Sequence, residues 1–136
     1  MLKMIVGVKG TGKTKVLIQM VNNALDVTHG DVVCIEKGVK LRYDVKPQCR
    51  LINTNEYRAT TQCNVYHKFI AGILASNHDI TDLFVDSALQ ICENEMAAFE
   101  KLLLDVDELS TKLNVNVVMT SSIPTEEASD IVKKYI

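Results

Sequence analysis

The sequence predicts an α/β fold, a three-layer sandwich built on a mostly parallel five-stranded sheet. Short apolar runs alternate along the chain with segments whose apolar residues recur at helical spacing, which is typical of strand–helix–strand units. The chain has 136 residues, enough to bury a core without disulfide or metal staples, and it contains no internal repeat. We therefore expect residues 1–136 to form a single domain.

The secondary-structure elements follow from the periodicity of the apolar residues. The last helix should begin at Thr125, which follows a proline and precedes acidic residues, as an N-cap does. Apolar runs predict strands over 3–6, 31–36, 50–53, 82–86 and 114–120. Helical spacing predicts helices over 13–25, 62–76, 88–113 and 125–135.

Composition excludes several classes of function. The net charge is −2 and aromatic residues make up 5%, so we expect neither bulk nucleic-acid binding nor a platform for stacking bases. No stretch approaches the length of a membrane span and the N-terminal apolar run is too short for a signal peptide, so we expect a cytoplasmic protein. Charge is nevertheless segregated, with a basic segment over 37–50 and an acidic outer face on the helix over 88–113. That acidic face is interpreted either as a solvated surface or as a docking surface.

The cysteines show no metal-binding or paired spacing. We interpret Cys34, Cys49, Cys63 and Cys92 as buried thiols in a reducing compartment, because none of them forms a C-x-x-C pair. The three histidines likewise lie at no metal-ligand spacing from one another or from the cysteines. The sequence therefore predicts neither a disulfide framework nor a zinc site.

One motif carries the chemistry. Residues 7–14 read GVKGTGKT and match G-x-x-x-x-G-K-[ST] at every fixed position, between a predicted strand and a predicted helix. At average residue frequencies, such a match arises by chance in about 1 in 200 chains of this length. The glycines let the main chain curl so that N–H groups converge on phosphate oxygens, and the start of the helix adds further donors. The expected cofactor-binding residues are Gly7, Val8, Lys9, Gly10, Thr11, Gly12, Lys13, Thr14 and Lys15.

Two further strand ends carry polar residues that belong beside this loop. The run LFVD over 83–86 ends a strand in a carboxylate, so Thr14 and Asp86 are the expected Mg²⁺ ligands, with Asp86 acting through water. Thr120, Ser121 and Ser122 lie at the tip of the fifth strand, where a hydroxyl senses the γ-phosphate or holds the attacking water, or where the three residues form an ordinary turn.

Catalysis needs a cation on the phosphates and a group that orients water. Lys13 supplies the cation at the β- and γ-phosphates. The residue after Asp86 is a serine, so Glu36, at the end of the second strand, is the expected base, because ligands gather at those strand ends. The alternative is a strand-end carboxylate paired with Lys37 or Lys40.

The order of these elements resembles the RecA/KaiC-like group of P-loop NTPases. In that group a Glu ends the strand after the phosphate-loop helix, as in IEKG, another strand ends in Asp-Ser, as in LFVDSA, and a third has a polar tip, as in VVMTSS. The resemblance implies a RecA-like core in which the fifth strand lies between the first and the fourth. We do not expect this chain to share the recombination activity found in that group, because it is much shorter and has no room for DNA-binding loops. The chain also resembles small uncharacterised ATP-binding proteins of Firmicutes.

The leading interpretation is a domain that binds MgATP and hydrolyses it slowly, alone or when a partner activates it. ATP is favoured over GTP because the N-K-x-D pattern that reads guanine is absent. A small-molecule kinase and a nucleotide-gated binding module without useful turnover remain alternatives. The expected partner is a nucleoside triphosphate, an unknown protein or a second copy of the chain is left open, and nucleic acid and membrane are not expected. Candidates for an arginine finger are Arg42, Arg50 and Arg58, and candidates for base stacking are Tyr43 and Tyr57.

Overall fold

A computed structural model of the chain describes residues 1–57, 63–92 and 95–136. The strands are β1 (Leu2–Val6), β2 (Asp31–Glu36), β3 (Arg50–Asn53), β4 (Ile80–Val85) and β5 (Asn116–Ser121). The α-helices are α1 (Lys13–Val27), α2 (Cys63–Ser76), α3 (Ala88–Ile91), α4 (Met96–Leu113) and α5 (Asp130–Lys133). Short 3₁₀ segments cover Leu41–Tyr43, Thr54–Tyr57 and Thr125–Glu127.

The described strands form one sheet in the order β1-β5-β4-β2-β3, and every neighbouring pair is parallel. The predicted sheet is therefore confirmed, and so is the position of β5 between β1 and β4 that the resemblance implied. Parallel strands end at the same edge of a sheet, where ligands of open α/β sheets gather. That edge brings the loop after β1 close to the chain segments that follow β2, β4 and β5.

Side chains alternate between the two faces of the sheet and bury it on both sides. Val33, Ile35 and Leu83 lie in the core that β2 and β4 share with α2 and α4. Their sequence neighbours Cys34 and Phe84 lie in the opposite core, against α1 and the segment after β2. This period of two in strands buried on both faces explains why they read as continuous apolar runs. The three predicted layers are confirmed.

The helix expected over 88–113 is divided in two. After α3 the chain leaves the helix, and Glu95 is extended, with φ −83° and ψ 107°, before α4 begins. Residues 93–94, which include part of the expected acidic face, lie outside the described residues. The apolar spacing from Cys92 to Phe99 runs through the break, so periodicity alone could not reveal it. The break separates a segment that contacts β5 from one that packs on α2 and β1.

The C-terminal helix expected over 125–135 is also divided, and the expected N-cap at Thr125 is wrong. A short 3₁₀ segment is followed by Ala128, which is buried and extended. Ser129 is the N-cap of α5, because its hydroxyl accepts a hydrogen bond from the Val132 N–H at 3.3 Å. Acidic residues follow both candidate caps, so the sequence signal was ambiguous.

Two of the four cysteines are paired. Cys63, the first residue of α2, forms a disulfide with Cys92, just after α3, with a Cα–Cα distance of 5.0 Å. The expectation of four thiols is therefore wrong for this pair, which lies 29 residues apart and has no local spacing signal. Cys34 and Cys49 are buried thiols, as expected. Burial raises the pKa of Cys34 well above its ordinary value and that of Cys49 to about 11.

The remaining differences concern the ends of elements. β4 begins at Ile80 and stops one residue before Asp86, and β5 begins at Asn116 because Asn114 ends α4 with φ +55°. Gln62, the expected start of the second helix, lies outside the described residues. None of the described helices combines the length and the apolar character that crossing a membrane requires.

Candidate phosphate-binding site

The turn between β1 and α1 has the conformation that a phosphate loop requires. Gly10 and Gly12 have φ of +86° and +85°, in the left-handed region that side chains disfavour. The Thr11 hydroxyl and the Lys13 ammonium both donate to the Val8 carbonyl, at 2.7 and 2.8 Å. These bonds close the loop on itself, and Lys13 holds its charge inside the turn.

The start of α1 is open to an anion. Gly12 is its N-cap, and no side chain caps the helix. The first N–H groups of a helix have no partner within the helix, and its peptide dipoles place partial positive charge at that end. The first turn of α1 also carries no acidic residue that would compete for this position. The loop and the helix start therefore present donors and positive charge from the same turn of chain.

The Asp86 carboxylate connects this loop to the centre of the sheet. Its Oδ1 accepts a hydrogen bond from Thr14 Oγ1 at 3.4 Å, although the two residues are 72 positions apart. The same oxygen accepts a shorter bond, 2.7 Å, from Thr120 Oγ1. The Asp86 N–H donates to the Ile35 carbonyl at 2.9 Å, which fixes its backbone to β2. The structure thus brings together the two residues expected to hold Mg²⁺.

Thr120 and Ser121 fix the chain that follows Asp86. Thr120 Oγ1 accepts from the Ser87 N–H at 2.8 Å, and Ser121 Oγ accepts from the Leu89 N–H at 3.3 Å. Both side chains are buried. Ser87 has φ +58°, an uncommon conformation for a residue other than glycine. In this structure the two hydroxyls orient Asp86 and the start of α3, and the expected sensing of the γ-phosphate stays a prediction.

Glu36 lies at the end of β2 but is only 2% exposed. Its carboxylate accepts hydrogen bonds from the backbone N–H groups of Lys40, at 3.0 Å, and Leu41, at 3.2 Å. Burial raises the pKa of Glu36, against the opposing effect of these two N–H bonds, and the charge of Asp86 raises it further. Glu36 does not line the cavity described next. The catalytic role expected for it stays a prediction.

A cavity of about 670 Å³ opens between the loop, Asp86 and the end of β5. Several expected residues do not line it, namely Gly7, Val8, Thr11, Lys15, Glu36 and Ser121. The expected residues that do line it are Lys9, Gly10, Gly12, Lys13, Thr14, Asp86 and Thr120. Sequence reasoning did not assign Lys40 or Ser87 to the site and included Ser122 only as part of the polar tip of the fifth strand, yet all three line the cavity. The available signal was their position, since each follows a strand at the edge where ligands gather.

The oxygen donors at this cavity suit Mg²⁺. The hydroxyl of Thr14 and the carboxylate of Asp86 are hard ligands, and they already meet. Within the ranges 1–57, 63–92 and 95–136, no group of three or more His, Cys, Asp or Glu side chains is placed to hold a metal by itself. Mg²⁺ ordinarily uses one or two protein oxygens and completes its shell with water and substrate phosphates, so this donor set fits.

The described candidates for an arginine finger and for base stacking lie away from this cavity. The Arg42 guanidinium stacks 4.8 Å from the centre of the Tyr43 ring and also donates to its hydroxyl. Arg50 and Tyr57 line a separate cavity of about 580 Å³ between β3 and α2. Arg58 lies outside the described residues.

Comparison with known proteins supports the fold. No protein-family model matches the sequence, and no curated protein matches it. A solved KaiC-like protein from the hyperthermophilic archaeon Pyrococcus horikoshii OT3 is similar in structure, with a TM-score of 0.69 and 15% identity. The match covers 98% of this chain and 66% of that one. The chain therefore has a RecA-like α/β fold with a parallel five-stranded sheet, as the sequence predicted. The further resemblance to Firmicutes proteins finds no support in these comparisons.

The hydrogen bonds of Thr120 generate a stability prediction. We expect Thr120→Val to destabilise the protein by about 1–3 kcal/mol, because it leaves the Ser87 N–H without a partner and removes the shorter of the two hydrogen bonds to Asp86 Oδ1. Thr54→Val is a matched control, since Thr54 is equally buried and its hydroxyl has no partner among the described residues. Urea denaturation measures both variants. Equal stability of the two would contradict the role given to Thr120.

Proposed function

We propose that this chain binds MgATP through residues 7–15 and hydrolyses it slowly, alone or when a partner activates it. The observation that carries the proposal is the contact between Thr14 and Asp86, 3.4 Å apart at the start of an uncapped helix. A hydroxyl and a carboxylate from distant parts of the chain meet beside a glycine-rich loop, which is the arrangement that MgATP requires. The similar KaiC-like structure supports a nucleotide-binding fold.

The loop performs most of the proposed chemistry by binding and neutralising charge. Backbone N–H groups at the start of α1 hold phosphate oxygens, and Lys13 exchanges the Val8 carbonyl for the β- and γ-phosphates. Thr14 and Asp86, the latter through water, would hold Mg²⁺, which would supply further neutralisation of the phosphate charge. Thr120 keeps the Asp86 carboxylate oriented throughout, through its 2.7 Å hydrogen bond.

Glu36 is the proposed base for the attacking water. Its raised pKa brings the carboxyl closer to the pH at which a general base works well. To act, the carboxylate must give up at least one of its bonds to the Lys40 and Leu41 N–H groups. This requirement, together with the absence of an arginine among the described residues that line the cavity, supports slow turnover. An arginine finger is worth roughly 10³–10⁵ in rate.

Replacing Lys13 tests phosphate binding. With MgATP present at about 100 times its dissociation constant, the wild-type protein should gain roughly 2.7 kcal/mol of stability. Lys13→Ala should abolish this gain, because it removes the ammonium from the loop, whereas Lys112→Ala, on the exposed end of α4, should keep it. Thermal denaturation with and without MgATP measures the three proteins. No gain in the wild type, or an equal gain in Lys13→Ala, would disprove the proposal.

Replacing Glu36 tests hydrolysis. Glu36→Gln keeps one side-chain oxygen and the shape of the side chain, but the amide cannot accept the proton of the attacking water. We therefore expect MgATP binding to persist and ADP formation to stop. Glu56→Gln, at an exposed glutamate, should change neither. Loss of both binding and hydrolysis in Glu36→Gln would make Glu36 a structural residue. In the wild type, ADP released only when an acceptor alcohol or amine is added would indicate a kinase instead.

The pH dependence of stability checks that Glu36→Gln folds as intended. Because burial raises the folded-state pKa of Glu36, its ionised form weakens the folded state at neutral pH. This cost disappears as the pH falls through the raised value towards the ordinary glutamate pKa. The stability of Glu36→Gln relative to the wild type should therefore be greatest at pH 7, and any advantage should shrink on acidification. Denaturation at several pH values measures this difference, and an advantage that grows on acidification would contradict it.

A further inference from the structure

Lys40 adds positive charge from outside the loop to the cavity of about 670 Å³ that the loop and Asp86 line. We propose that its ammonium binds the terminal phosphate of the bound triphosphate, within the same chain as the loop, and so distinguishes a nucleoside triphosphate from a diphosphate. This inference rests on the proposed function, because it needs a nucleotide in the loop.

The turn that carries Lys40 is held by backbone hydrogen bonds at Gly38 and at Lys40 itself. The Lys40 N–H donates to Glu36 Oε1 at 3.0 Å, and the next residue, Leu41, is buried against α1. On the other side, the Gly38 N–H donates to Asn53 Oδ1 at 2.9 Å, at the end of β3. Carboxylate and amide side chains at two strand ends therefore hold the backbone of this turn. Lys40 projects from a positioned backbone rather than from a free loop.

Lys40 lines the cavity together with Lys13 and Asp86. Among the described residues, the ion pairs that lysines form are those of Lys46 with Asp26 and of Lys101 with Asp105, and Lys40 takes part in neither. The nearby Glu36 carboxylate is occupied by backbone N–H groups. Lys40 is thus exposed and forms no close ion pair within the part of the chain that the structure describes, although its charge lowers the pKa of Glu36 slightly against the effect of burial.

Strand order places Lys40 where the end of the phosphate chain would lie. The loop follows β1 and Asp86 follows β4, whereas the turn with Lys40 follows β2, on the far side of β4 from the loop. Because Thr14 and Asp86 meet on the β4 side of the loop and would hold the metal of bound phosphates, the proposal places the end of the phosphate chain towards β2. The last phosphate then faces Lys40, and a diphosphate leaves that position vacant. No arginine among the described residues lines this cavity, and the other two lysines that line it, Lys9 and Lys13, belong to the loop, so Lys40 is the lysine that comes from the β2 side.

Calorimetric titration with two ligands tests this role. The dissociation constants of a non-hydrolysable ATP analogue and of ADP, both with Mg²⁺, are measured for the wild type and for Lys40→Ala. We expect Lys40→Ala to weaken the triphosphate analogue by about 10- to 100-fold, the loss expected for one charged hydrogen bond. Binding of ADP should weaken by less than about 3-fold, which is small on the tenfold-per-1.4 kcal/mol scale.

Two further variants separate charge at this position from charge on the turn. Lys40→Arg should restore most of the preference for triphosphate, because it keeps a cation at the same place. Lys37→Ala removes an exposed lysine from the same turn that does not line the cavity, so it should leave both affinities unchanged. The substitutions at Lys40 and Lys37 change only the side chain, so the backbone N–H bonds of the turn persist in each variant.

The outcomes distinguish this inference from the proposed function. If the wild type binds the analogue and Lys40→Ala binds it equally well, or loses affinity for analogue and ADP alike, the role of Lys40 is disproved while the phosphate loop stands. An equal loss in Lys37→Ala would also disprove it, because the effect would be general electrostatics. If the wild type binds neither nucleotide, both proposals fail.

Discussion

One carboxylate oxygen, Oδ1 of Asp86, accepts hydrogen bonds from the start of α1 and from the end of β5. Its two partners, Thr14 and Thr120, lie far apart in the sequence, and the Asp86 backbone is bonded to β2 as well. Each of these contacts requires the parallel sheet to place its strand ends side by side. The position of the phosphate loop relative to the rest of the site therefore depends on this carboxylate and on the strand order that delivers it.

Much of the fold could be predicted because its signals lie in local residue patterns or in the order of the elements along the chain. Strands buried on both faces read as apolar runs, and the glycine-rich loop between a strand and a helix identified the site. The central place of β5 came from the resemblance, since local patterns contain no information on which strands pair. The breaks at Glu95 and Ala128 were missed because helical spacing or acidic residues continue across them. The disulfide between Cys63 and Cys92 was missed because tertiary packing alone brings these residues together.

The candidate site was predicted in part, and the misses have a common cause. Lys13, Thr14 and Asp86 carry motif positions, so the sequence locates them and the structure brings them together. Lys40 carries no motif, and its position depends on hydrogen bonds to Glu36 that only the folded chain contains. Glu36 itself was expected at an open strand end, yet it is buried beneath the turn that it holds. Sequence position gives the edge of the sheet that a residue reaches, but not the direction of its side chain.

The central claim is that residues 7–14 form a cradle for a polyphosphate. A crystal structure with Mg²⁺ and a non-hydrolysable ATP analogue tests it most directly. We expect phosphate oxygens within hydrogen-bonding distance of the N–H groups at the start of α1, with the Lys13 ammonium moved from the Val8 carbonyl to the ligand. A structure in which Lys13 still donates to Val8 while the nucleotide occupies the cavity beside Arg50 would contradict the account.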